Sequence, residues 1–104
     1  MIRILLLLTT LLIVSNSVMG DEGERHRIDH ERVRILKEAG KIIPLEKILQ
    51  IARSEKQGRV LDVELEEENG RYVYEIEMLT DQGEVWEVEI DAQSGELVEM
   101  EKEH

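Results

Sequence analysis

Seven carboxylates occupy the positions from which chemistry would have to come. Glu64 and Glu66, Glu75 and Glu77, and Glu87 and Glu89 with Asp91 recur two residues apart in three separate runs. Residues two apart on an extended chain point to the same side. The spacing therefore predicts one sheet face covered in carboxylates. Two of these groups could work as general acid and base, or several as oxygen ligands to calcium. A working acid–base pair, however, needs surroundings that drive one pKa away from the other. A flat, open face offers little desolvation, and no calcium loop with spaced acids around a central Gly is present. Glu64, Glu66, Glu75, Glu77, Glu87 and Glu89 are thus read as a candidate surface for a cationic partner, against the plainer reading of a solvated face.

Two other constellations are weaker. His26 and His30 stand four apart, a spacing that can place two imidazoles on one helix face for a metal. The H-E-x-x-H pattern is absent, because Arg27-Ile28-Asp29 lies between them. Ser15, Ser17, Ser54 and Ser94 have no His and acid arranged around them, so nucleophilic catalysis has no support. The sequence predicts no enzyme, no cofactor and no dedicated metal site, with weak divalent-cation binding left open.

The carboxylates need strands to carry them. Leu61, Val63 and Leu65 alternate with Asp62, Glu64 and Glu66. Tyr72, Tyr74, Ile76 and Met78 alternate with Glu75 and Glu77, and Trp86, Val88 and Ile90 with Glu87, Glu89 and Asp91. This is the period-two pattern of strands with one buried face. Asn69-Gly70 and Asp81-Gln82-Gly83 supply turn chemistry between them. A short edge run is expected at Glu96 to Met100, with fraying from Glu101.

Upstream, Leu45, Ile48, Leu49 and Ala52 fall at i, i+3, i+4 and i+7, with Pro44 suited to the first helical position. This helix is too short to stand alone in water, so its stripe, Leu49 included, must lie on the sheet. A shorter helix within Ile28 to Ala39 follows from Val33 and Leu36, with Asp29 as N-cap and Gly40 as stop. Asp21 to Arg27 reads as a flexible tail. The predicted architecture is α+β, with one or two helices packed on a three- to four-stranded antiparallel meander.

Composition sets the setting. Lys and Arg number 13 against 24 Asp and Glu, a net charge of −11. That balance repels nucleic acid and anionic lipid headgroups. Met1-Ile2-Arg3, the apolar run Ile4 to Val14 and the small residues up to Gly20 describe a signal peptide of residues 1–20, cleaved after Gly20. The run is too short for a membrane span, and its loss makes the remainder one unit more negative. Cys is absent, so packing alone must hold the fold. A periplasmic or extracellular location is expected.

The order of these segments carries a family likeness. Pro44-Leu45-Glu46-Lys47-Ile48-Leu49-Gln50-Ile51-Ala52 is followed by Gly58-Arg59-Val60-Leu61-Asp62-Val63-Glu64. Tyr72-Val73-Tyr74-Glu75-Ile76-Glu77 then leads to Asp81-Gln82-Gly83 and Val85-Trp86-Glu87-Val88-Glu89-Ile90-Asp91-Ala92-Gln93-Ser94-Gly95-Glu96-Leu97. This succession resembles the PepSY domain over about Ile43 to Met100. The resemblance implies a non-enzymatic exported module that inhibits or modulates a secreted peptidase or a membrane sensor kinase, with a protein partner and no catalytic residues. It also implies that Asp91 and Gly95 form a structural turn. The domain plan is then a leader at 1–20, a charged segment with a short helix at 21–42, a PepSY-like domain at 43–101 and a tail at 102–104. An acidic cation-binding protein of the cell envelope remains the alternative.

Overall fold

The structure, a computed structural model, describes residues 24–104. The expected signal peptide and its cleavage point lie outside the described residues. The order of elements is β1 (His26–Arg27), α1 (His30–Glu38), α2 (Leu45–Glu55), β2 (Arg59–Glu68), β3 (Arg71–Leu79), β4 (Val85–Asp91) and β5 (Leu97–Lys102).

The strands form one antiparallel sheet in the order β1-β2-β3-β4-β5. The α+β meander holds, but the sheet has five strands where three or four were expected. The additional strand is β1, drawn from the supposed flexible tail. It pairs His26 with Glu67 and Arg27 with Glu66, and the Ile28 N–H donates to the Leu65 carbonyl at 2.8 Å. At the other edge β5 continues to Lys102, and the Glu103 N–H donates to the Val85 carbonyl, so fraying starts later than the sequence suggests.

Turn chemistry fixes the register. Asn69 (φ 54°) and Gly70 (φ 77°) make the two-residue link between β2 and β3. Positive φ at both central positions suits the right-handed twist of the flanking strands. Thr80 closes the next hairpin by accepting the Glu84 N–H on its hydroxyl at 3.2 Å. Gly58, just before β2, answers a different need: a Cβ there would sit 2.5 Å from the Leu79 carbonyl oxygen.

Both helices cover the apolar side of the sheet. Asp29 caps α1 by accepting the Arg32 N–H at 2.9 Å, and Gly40 at φ 71° ends it. Only Leu36 of α1 is buried. In α2, Ile48 and Ala52 are fully buried against Ile76, Met78, Val88 and Ile90. Leu49 packs against the margin of this core but is only half-buried, short of the full burial expected of it. One residue on from Ile48 is a turn of roughly 100° about the axis, which carries Leu49 to the flank. Leu45, also assigned to the stripe, is 39% exposed. Pro44 is the N-cap and not the first helical residue: its ψ of 145° is extended, and its carbonyl accepts from Lys47 and Ile48.

Candidate functional site

Strand register gathers the six candidate glutamates on the face away from the helices. Glu64 lies opposite Glu75, Glu75 opposite Glu89, and Glu77 opposite Glu87. Glu66 lies opposite Val73, on the same side. Glu99 and Glu101 of β5 extend the row, opposite Glu89 and Glu87. Like charges facing across strands destabilise a sheet, so a countercharge is needed.

Arg25 supplies it. Its Nη2 donates to Glu89 Oε1 at 2.8 Å, its Nε to Glu68 Oε1 at 3.0 Å and its Nη1 to Glu66 Oε1 at 3.3 Å. Glu75 Oε2 lies 4.0 Å from the same Nη1. The Glu89 side chain is only 8% exposed beneath this guanidinium. Arg27, on the same face, stands 3.7 Å from Glu64. Val73 is 2% exposed although it lies on the carboxylate side and outside the main core. The face is therefore a covered surface around Arg25, not an open plane.

Crowding shifts several protons. Glu75 is pushed up to about 8, first by its hydrogen bond with Glu87, then by burial and by the charges of Glu66, Glu87 and Glu89. Burial raises Glu66 against the opposing pull of Arg25. Glu77 is raised chiefly by the charge of Glu103. The guanidinium of Arg25, bonded first to Glu89 and then to Glu68, is held still more firmly protonated. Little desolvation was expected of this face, and at Glu75 burial indeed comes second to the hydrogen bond with Glu87. A group that keeps its proton near neutrality is not yet an acid catalyst, because a substrate needs a cleft beside it. A cavity of about 440 Å³ lies instead at the β2 edge, against Val63, Leu65 and Tyr74 on the helix side.

Oxygens of Glu64, Glu66 and Glu75, and of Glu75, Glu87 and Glu89, form two groups whose members lie within 4.8 Å of one another. His26 and His30 share no helix face: His26 is in β1, and His30 opens α1 after the Asp29 cap. Asp91 points to a different task. Its Oδ1 accepts the N–H groups of Gln93 and Ser94 at 2.8 and 2.9 Å, and its Oδ2 accepts Arg71 Nε at 3.0 Å. Burial opposes its charge, but these donors hold its pKa below the usual range. Gly95 follows at φ 82°, where a Cβ would press to 3.2 Å from Ile51.

A scan against protein families matches residues 42–101 to PepSY, described as the peptidase propeptide and YPEB domain. The chain belongs to the PepSY family. Searches of curated proteins and of solved structures returned no match. The PepSY match begins at Ile42, so it takes in α2 and β2 to β5 but leaves β1, α1 and Arg25 outside. Arg25 and Glu68 are the site residues that sequence reasoning missed. The alternation of Arg25 and Arg27 with His26 and Ile28 is too short to stand out in a charged stretch.

Proposed function

We propose that this PepSY protein is an exported, non-enzymatic binding module, periplasmic or extracellular, that inhibits or modulates a secreted peptidase or the outer part of a membrane sensor kinase. Recognition uses the carboxylate face of Glu64, Glu66, Glu75, Glu77, Glu87 and Glu89, which takes a basic element of the partner. The observation that carries this reading is Arg25 bonded to Glu66, Glu68 and Glu89. These carboxylates are spaced to hold a planar, five-donor guanidinium, which suits them better than a compact ion. Family membership supports a regulatory role over a catalytic one. Asp91 and Gly95 serve the β4–β5 turn and take no part in recognition.

Divalent-cation binding is the second reading, favoured by the two clusters of glutamate oxygens. It is the weaker one. Glu75 belongs to both clusters and keeps its proton near neutrality, and Arg25 already neutralises Glu66 and Glu89. A protonated carboxyl is a poor ligand for a hard cation.

The test is capture from an envelope extract of the producing cell, with the captured chain identified by mass spectrometry. A peptidase or sensor ectodomain is expected. The variant with Glu75, Glu77, Glu87 and Glu89 all changed to Gln should capture much less of it, with the largest loss at low salt. Equal capture by the variant would sink the role of this face. Thermal stabilisation by calcium or zinc that chelator reverses would favour the second reading.

A further inference from the structure

Strand β2 is an edge strand for most of its length. Strand β1 covers it only at Glu66 and Glu67, with one further bond from Ile28 to Leu65. Among the described residues, Arg59 to Glu64 have no strand on that side. Unpaired backbone donors and acceptors along an edge are a template for an added strand. Beside this edge lies the cavity of about 440 Å³, apolar at Ile28, Val33, Leu45, Val63, Leu65 and Tyr74, with Arg27, Asp29, His30 and Glu64 also in its lining. On the opposite face of the same edge lie Glu64 and Glu66. A strand added here would send alternate side chains to an apolar hollow and to an acidic surface.

The chain's own N-terminal arm has that pattern. Arg25 and Arg27 lie toward the carboxylates, and Ile28 lines the apolar cavity. Yet the arm's backbone is held by only two strand pairs and the Ile28 bond to Leu65, so its side-chain ion pairs through Arg25 and Arg27 carry much of the hold, and it lies outside the part of the chain that matches the family.

We infer that the arm Arg25–Ile28 is a built-in placeholder, and that the ligand is an extended peptide segment alternating basic and apolar residues, which displaces β1 and pairs with β2. The inference rests on the carboxylate face being a protein-binding surface, and it names the partner's chemistry and the gate. Arginines of the segment replace Arg25 and Arg27 on Glu66, Glu89 and Glu64. Its apolar residues enter the cavity at Val63, Leu65 and Tyr74, and its backbone continues along β2 beyond the reach of β1. Nucleic acid does not fit this geometry, and its phosphates would meet the glutamates. The arm lowers apparent affinity by the fraction of molecules in which it is undocked.

The probe is a short acetylated peptide alternating Arg and Val, compared with an isomer carrying the same residues in two blocks. Fluorescence anisotropy measures both against the chain as recovered from the exporting cell. The alternating peptide should bind tighter than the block isomer, and Arg25→Ala should tighten it further, by about tenfold if the arm is docked in nine molecules of ten. Cross-strand nuclear Overhauser effects should connect the peptide to β2. A second variant does not depend on removing Arg25. His26→Cys with Glu67→Cys, at paired positions in a chain that has no other Cys, ties the arm down when oxidised. Oxidation should abolish peptide binding, and reductant should restore it. Equal binding by the alternating and block peptides, or by the oxidised and reduced pair, overturns the inference. Loss of native capture in the Gln variant alongside a lock without effect would leave the face standing and remove the strand exchange. A working lock with undiminished capture would do the reverse.

Discussion

Glu75 is where the fold and its charge pattern conflict most. It faces Glu64 on one side and Glu89 on the other, and it shares a hydrogen bond with Glu87. Its pKa rises from 4.5 to about 8. The folded chain therefore keeps a proton that the unfolded chain releases above about 4.5. Stability falls as pH rises through that window, because the native state binds more protons than the unfolded one. The raised pKa values of Glu66 and Glu77 add in the same sense. Those of Asp91 and Glu84 are lowered, and their contribution is lost only as the pH falls below the ordinary carboxylate range. The melting temperature should be higher at pH 5.5 than at pH 8.5. Glu75→Gln should raise the value at pH 8.5 and flatten the slope. A wild-type melting temperature that does not change between the two pH values would refute the conflict at Glu75. The identity of these glutamates was legible from their spacing, but the shift was not. Period two places side chains on a face, whereas the pKa depends on the register that sets Glu75 between Glu64 and Glu89, and on the cover provided by Arg25.

At the scale of elements, α2 divides its apolar residues unequally. Ile48 and Ala52 are fully buried, while Leu49 is half-buried and Leu45 lies near the surface. Ile48→Ala should cost about 2 to 5 kcal/mol, a large share of the roughly 5 to 15 kcal/mol that holds such a domain. Leu49→Ala should cost about 1 to 2 kcal/mol, in keeping with its smaller buried area. Urea titration of the two variants checks the order, and a larger loss at Leu49 would mean that the helix is rotated on the sheet. The existence of α2, of three alternating strands and of the Asn69-Gly70 turn could be read directly, because each has a strong local period or a demanding φ. Strand β1 could not. Two residues carry too little pattern to register, and Arg25 to Arg27 has the composition of a solvated tail. What orders this stretch is a contact with carboxylates 41 to 64 residues away, which no local period encodes.

Over the whole molecule, repulsion and clamping act on the same sheet with opposite signs. Six cross-strand pairs set acid against acid: Asp62 with Glu77, Glu64 with Glu75, Glu75 with Glu89, Glu77 with Glu87, Glu87 with Glu101, and Glu89 with Glu99. Arg25 answers from one end and reaches Glu66, Glu68, Glu75 and Glu89, but none of Glu77, Glu87 or Glu101. The β4–β5 half of the face is thus left with its repulsion, in a chain of net charge −11. Salt screens exposed charges over about 10 Å at 0.1 M and over roughly 3 Å at 1 M. It relieves the half-buried Glu87 and exposed Glu101 more than the covered contact between Arg25 and Glu89. Added sodium chloride should therefore raise the melting temperature, in contrast to a fold held mainly by surface ion pairs. Changing Glu75, Glu77, Glu87 and Glu89 to Gln should raise it at low salt and remove most of the salt response. Arg25→Ala should have the opposite effect, with a lower melting temperature at low salt and a steeper response, because the clamp is gone and every repulsion remains. Calorimetry of the three chains between 0.02 and 1 M sodium chloride measures this. A wild-type melting temperature that falls with salt would show that the clamp outweighs the repulsion, and that the acidic face is held together by Arg25 more strongly than its own charges drive it apart.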